Sequence, residues 1–278
     1  MSLPANTSIG RVHLRVANLD RSLQFYRDLL GLVEVRHESS RVELSTRTRQ
    51  PLLTLTAIPG TLARPQGVVG LYHFALLFPT RRDLGRALLH LFQHSWPFQG
   101  FSDHGVSEAA YLADPDGNGI ELYADRPRED WPQANGQIAM STFALNVNSL
   151  IRTVEGEEWT GVAGGTKVGH IHLHVSDLAR AGEFYHDVLG FDVTNSSYPG
   201  ALFLAAGGYH HHIGLNTWLR QTGPAPHAAG LLSYELRIAD SGAMQEISER
   251  ALRHGFKAEP SSEGLHISDP DGNLLTIT

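Results

Sequence analysis

The chain has 278 residues, 41% of them hydrophobic and 18% charged, enough for two globular cores and too apolar for a disordered chain. Its 22 Lys+Arg against 29 Asp+Glu leave a net charge of −7, which argues against a general nucleic-acid binder. With no cysteine there is no disulfide framework, thiolate nucleophile or Cys-type metal site, and no apolar run has the length of a membrane helix. The N-terminus, MSLPANTSIG, has no apolar signal core, so the chain is expected to be soluble and cytoplasmic, with no membrane partner.

In chain order, the first predicted element is a strand. Val12, Leu14 and Val16 point one way and Arg11, His13 and Arg15 the other, the period of two of a half-buried strand. An Asn or Asp then caps a helix in which Leu19, Leu23, Tyr26 and Leu30 recur at helical spacing. Gly31 falls where a helix stops in the left-handed conformation, and PLLTLTAI reads as a strand beyond it. The stretch GLYHFALLFPTRRDLGRALLHLF opens a second strand–helix unit that runs to YLADPDGNGIELY. Its DPDGN turn, flanked by alternating residues, predicts a tight hairpin and not a calcium loop. Residues 127–165, with Pro127 and Pro132, read as a linker in which MSTFALNVNSLI forms a short helix or strand.

Both units then recur. VGHIHLHVSDLARAGEFYHDVLGFDV repeats the opening segment, with Gly190 in the place of Gly31, and ALFLAAGG and HHIGLNTW supply its strands. GLLSYELRIADSGAMQEISERAL repeats the second kind of unit and ends at HISDPDGNLLTIT. The four modules span about 9–58, 67–125, 166–218 and 229–278. The glycine-rich strings AAGG and AGGT lack the helix and lysine of a phosphate loop, and there is no G-x-S-x-G elbow.

This organisation resembles the vicinal-oxygen-chelate superfamily, which includes glyoxalase I, bleomycin-resistance proteins and extradiol ring-cleaving dioxygenases. Within it, YHHHIGLNTW, GLYHFALLFP and SDHGVSEAAYLADPDGNGIELYADRPREDW are similar to the bacterial catechol 2,3-dioxygenase family. The resemblance implies an α+β fold of four βαβββ modules forming two cup-shaped mixed sheets. It divides the chain into a first two-module domain (1–126), the linker (127–165) and a second two-module domain (166–278).

In that superfamily the metal ligands come from the first strand of each paired module and from the last strand of one module. The first-strand positions here are Arg11, His73, His170 and Ser233; the last-strand positions are Glu121 and Thr276. Pairing modules one and two leaves one histidine missing, and pairing three and four leaves two ligands missing. Modules two and three together offer His73, Glu121 and His170, the two-His-one-carboxylate set of non-heme Fe(II) sites, with Mn(II) as the alternative metal. The competing assignment keeps sequential pairs and lets His13 replace Arg11. His13 shares the face of Arg11 about 7 Å further along the strand.

The resemblance also implies roles around the metal. A histidine in the HHH run serves as acid–base group: His211 by its distance from the small residue in the strand, with His212 as runner-up. Tyr111 has the residue type and the separation from Glu121 of an active-site tyrosine, and His104 is the second pocket histidine, hydrogen-bonded to a substrate oxygen. His172, His212 and Asn216 are expected to contact substrate, and Trp218, Phe98 and Phe101 to shape the pocket. The expected reaction opens a catechol-type aromatic diol with O2, beside its two hydroxyls. Rival readings on the same scaffold are a glyoxalase-type isomerase or thiol transferase, and a protein that binds a planar ligand without turnover. Unpaired sheet edges leave room for a homo-oligomer.

Overall fold

The computed structural model describes residues 2–65, 67–219, 223 and 225–278. The first module runs β1 (Ser8–Val16), α1 (Leu19–Leu23, continuing as a π-helical turn over Gln24–Leu29), β2 (Val33–Glu38), β3 (Arg41–Ser45) and β4 (Pro51–Ala57). The second runs β5 (Gly70–Leu77), α2 (Arg81–Gln93), β6 (Phe98–Asp103), β7 (Ser107–Ala113) and β8 (Gly119–Asp125). The linker holds a small hairpin, β9 (Gln133–Ala134) and β10 (Gln137–Ile138), and the helix α3 (Val147–Ile151), so MSTFALNVNSLI contributes a helix. The third module is β11 (Lys167–His174), α4 (Leu178–Gly182, continuing over Glu183–Val188), β12 (Asp192–Asn195), β13 (Ala201–Ala205) and β14 (Ile213–Asn216). The fourth is β15 (Gly230–Arg237), α5 (Ser241–Arg253), β16 (Ala258–Ser261), β17 (Gly264–Ser268) and β18 (Leu274–Ile277).

Four βαβββ modules thus build two eight-stranded mixed sheets. One has the order β16-β17-β18-β15-β1-β4-β3-β2 and joins modules four and one; the other, β12-β13-β14-β11-β5-β8-β7-β6, joins modules three and two. Each sheet draws one module from residues 1–126 and one from 166–278. The seams β1–β15 and β5–β11 are antiparallel and bulged, whereas each first strand pairs in parallel with the last strand of its own module. Bulges raise twist, which curls each sheet into a cup. The alternation read from β1 holds: Val12, Leu14 and Val16 are fully buried, and Arg11, His13 and Arg15 lie half-buried on the other face.

The opening helices differ from a plain α-helix. After one α-turn each widens to i→i+5 bonds, with Leu30 N donating to Phe25 O (2.7 Å) and Leu189 N to Phe184 O (3.0 Å). Two adjacent aromatics in each wide turn, Phe25–Tyr26 and Phe184–Tyr185, are buried in the core. Gly31 (φ 80°) and Gly190 (φ 95°) then end the helices in the left-handed region.

The DPDGN turns tie the sheets together. Asp114 accepts backbone bonds from Asp116 N (2.9 Å) and Asn118 N (2.8 Å), and side-chain bonds from Asn118 Nδ2 (2.9 Å) and Tyr26 Oη (2.8 Å). Asp269 does the same with Asp271, Asn273 and Tyr185. The first aspartate of each turn therefore clasps the helix of the preceding module, which lies in the other sheet. A buried hydrogen bond to a carboxylate contributes about 1.5–3 kcal/mol. Tyr26→Phe should lower unfolding stability by that order in chemical denaturation; an unchanged midpoint would show that the clasp contributes nothing.

Candidate metal centre

The seam between β5 and β11 sets His172 opposite His73 and His170 opposite Ala75, while the parallel neighbour of β5, β8, sets Glu121 beside Ala75. His73, Glu121 and His170 therefore converge on one face from three adjacent strands, all of them buried. Glu121 Oε2 lies 3.0 Å from His73 Nε2 and 3.1 Å from His170 Nε2, and the two nitrogens are 3.4 Å apart. Ligands at right angles on bonds of about 2.1 Å lie about 3 Å apart. The triangle matches one face of an octahedron.

The charges suit a cation. Burial alone would raise the Glu121 carboxyl, but His170 and then His73 outweigh it and hold the acid well below its ordinary value. Burial keeps His73 below the usual imidazole range despite its bond to Glu121. A charged carboxylate and an imidazole held below its usual range are the forms in which such groups bind metal. Gly169 makes room beside the triad: a Cβ there would sit 1.8 Å from the Tyr123 hydroxyl.

His73 and Glu121 line a cavity of about 210 Å³, together with Tyr111, His104, His172 and His211, with Phe203 and Trp218 among its walls. Tyr111 pairs across strands with Glu121. Burial and then the Glu121 charge push its phenol well above the ordinary tyrosine value. His104 Nδ1 donates to the Ser141 carbonyl (2.6 Å), leaving Nε2 to accept from Tyr111 Oη (2.6 Å). The His211 ring lies 4.1 Å from that of His170, and burial, then His170 and His210, push it well below the usual imidazole value. His172 fills the space left by Gly214, where a Cβ would come within 2.8 Å of its ring.

Two expected substrate contacts lie elsewhere. His212 faces away from the cavity: its Nδ1 accepts from Ala206 N (3.2 Å) and its ring packs against Phe191 and Tyr209. Both histidines lie just before β14, where the ring of His211 faces the cavity and that of His212 does not. Asn216 is fully buried behind the wall, donating to His172 Nε2 (2.9 Å) and accepting from His174 Nδ1 (2.6 Å). Phe98 and Phe101 stack with Phe92 and are not among the residues lining the cavity. His13 lies in the other sheet against Thr56 (2.8 Å), and burial, then Arg41 and Arg11, lower it to about 4. In that cup Arg11 forms ion pairs with Glu43 (3.1 Å) and Glu263 (3.4 Å), so the carboxylates there are already matched by a guanidinium.

Sequence reasoning missed Asp125 and Tyr123, which follow Glu121 at the strand period and share its face. The period of two in ELYAD was the available signal.

The family model of the Glyoxalase/Bleomycin resistance protein/Dioxygenase superfamily matches residues 8–122 and 167–277. The chain is 42% identical over 283 aligned positions to a catechol-2,3-dioxygenase of Bacillus subtilis, covering 99% of each chain. It is 32% identical over 129 positions to a biphenyl-2,3-diol 1,2-dioxygenase of Rhodococcus globerulus, covering 45% of this chain and 68% of that protein. Glyoxalase I of Zea mays has the same fold, with a TM-score of 0.59 at 16% identity, over 98% of this chain and 92% of that one.

Glu121→Gln removes the single anionic member of the triad and should weaken ferrous-ion binding by about 100-fold or more, read by anaerobic titration. Undiminished affinity would exclude Glu121 as a ligand. The buried histidines also set an acid limit. His13 is lowered to about 4 and His212 to about 3, so below pH 6.5 the unfolded chain binds protons that the folded chain refuses. Stability should fall as pH drops from 6.5 toward 4, each group contributing about 1.4 kcal/mol per pH unit. His13→Asn should flatten that slope in denaturant titrations across the window; an unaltered slope would contradict the assignment.

Proposed function

Since the chain belongs to the Glyoxalase/Bleomycin resistance protein/Dioxygenase superfamily, we propose that it works there as an extradiol dioxygenase of the catechol 2,3-dioxygenase kind. It opens a catechol-type diol with O2, using a ferrous ion held by His73, Glu121 and His170. The observation that carries this reading is the buried ligand triangle beside a cavity that also presents an acid–base histidine and a phenol. When bound, the ion supplies Lewis acidity toward the diol and a one-electron route to dioxygen. The reducing cytoplasm, where ferrous iron persists, is the compartment this reading assigns.

The remaining work falls to the chain. Phe203, Trp218, Met140 and Val106 offer apolar walls that exclude water and hold a ring in plane. His211, kept neutral by burial, can take a proton from the diol and return it later in the cycle. Tyr111 stays a phenol at neutral pH; its one proton is on the bond to His104, so its oxygen is free to accept a hydrogen bond from a diol hydroxyl. His104 orients that phenol and can accept its proton. His172 has its Nε2 tied to Asn216, so it acts as a wall that fixes the ring and not as a base.

The cavity also narrows the substrate class. Apolar cavities of about 150 Å³ hold benzene, so about 210 Å³ has room for a single substituted ring. Among the described lining residues there is no Arg or Lys to pair with an acidic substituent. Burying an unpaired carboxylate is costly. The substrate is therefore an uncharged catechol.

The test is anaerobic loading with ferrous ion, followed by catechol and air. The reading expects a yellow semialdehyde and one O2 consumed per diol. Turnover of methylglyoxal with glutathione would favour an isomerase, and tight catechol binding without product a binding protein. Methylcatechols should exceed carboxylated catechols in kcat/KM by about tenfold or more; the reverse order would overturn the substrate class. His211→Ala should retain iron and lose about 10²–10⁴-fold in kcat. An iron-loaded variant of unchanged rate would remove His211 from the chemistry.

A further inference from the structure

His210 precedes the proposed acid–base histidine, is fully buried and does not line the cavity. Its ring is nevertheless fully engaged. Nε2 lies 3.0 Å from Asp125 Oδ1 and Nδ1 lies 2.8 Å from His211 Nδ1. Asp125 is itself held by the Tyr209 hydroxyl, which donates to its two oxygens at 3.2 and 3.1 Å and accepts from Tyr123 Oη at 2.9 Å. The Trp131 ring packs on His210 at 5.2 Å and encloses the chain of bonds.

The direction of the protons follows from what each atom can do. A carboxylate only accepts, so His210 must donate through Nε2–H. A neutral His210 then has a lone pair on Nδ1, and the short contact to His211 requires a proton on His211 Nδ1. A second proton on His210 would reverse this, but it would place a positive charge among buried imidazoles. Among the described residues no hydrogen bond reaches His211 Nε2.

We infer that Asp125 and His210 are positioning residues for His211: they hold its ring proton on Nδ1 and leave Nε2 bare to exchange a proton in the cavity. The inference rests on the reading of His211 as the acid–base group. It adds that the base is prepared in one tautomer before substrate arrives, as a carboxylate prepares the histidine of a hydrolase triad. Asp125 lies on the strand that carries Glu121 and faces the same way, so one rigid element carries a metal ligand and the anchor of the relay.

Two readouts test this. In the ¹⁵N-histidine-labelled, full-length chain loaded with diamagnetic zinc, ring nitrogen shifts and two-bond couplings report which nitrogen of His211 carries the proton. The inference expects Nδ1–H in the wild type and in His210→Asn, whose amide oxygen can stand near the lost Nδ1 and accept the same bond. It expects loss of the single tautomer in His210→Leu. In the iron-loaded enzyme, His210→Leu should lower kcat on catechol by about 100-fold with KM and iron content little changed, and His210→Asn should recover most of that loss. A proton on Nε2 of wild-type His211, or equal defects in the Leu and Asn variants, would overturn the relay. The wild-type measurement decides even if His210→Leu fails to fold. An Nδ1–H tautomer in a wild type that never turns over catechol would support the relay and remove the ring-cleavage reading instead.

Discussion

Glu121 carries a full negative charge into a site where its residue is 3% exposed, and the arrangement around it answers that charge. An isolated buried carboxylate costs several kcal/mol. Here two imidazole nitrogens stand 3.0 and 3.1 Å from one of its oxygens, and burial holds His73 below the usual imidazole range. A dication in the triangle would resolve the imbalance. The requirement explains why modules from opposite ends of the linker are sewn together: only the β5–β11 seam brings His73 and His170 beside Glu121.

The two cups share a fold and differ in electrostatics. In the β5–β11 cup the central positions hold two imidazoles and a carboxylate. In the β1–β15 cup Arg11 occupies the position of His170 and is neutralised by Glu43 and Glu263, so the charges close on themselves. The DPDGN clasps are retained in both copies, because Tyr26–Asp114 and Tyr185–Asp269 join the sheets whatever the cup contains. Structural chemistry is thus duplicated, and site chemistry is concentrated in one half of the duplication.

Much of this was legible in the chain. The fourfold repeat, the alternation of β1, the left-handed glycines and the three ligand-type residues at matching module positions needed no coordinates. What was not legible has a physical reason in each case. The π-helical turns add one residue to the repeat of the helix, which a 3.6-residue periodicity does not anticipate. His211 and His212 differ in facing direction by one residue, and in a short irregular segment before β14 the phase of the alternation cannot be read from sequence. Asn216 looked like a pocket residue by position, but two histidine rings had already claimed its amide. Asp125 and His210 meet across 85 residues, a separation at which no local pattern signals contact.

The central claim is that one metal per chain sits at the His73–Glu121–His170 face and nowhere else. Anomalous diffraction at the iron edge, from crystals of the ferrous-reconstituted chain grown without oxygen, addresses it directly. The account predicts one strong peak about 2.0–2.3 Å from His73 Nε2, His170 Nε2 and a Glu121 carboxylate oxygen. A peak in the other cup near His13 and Glu43, or a triad that stays empty in crystals containing iron, would contradict it.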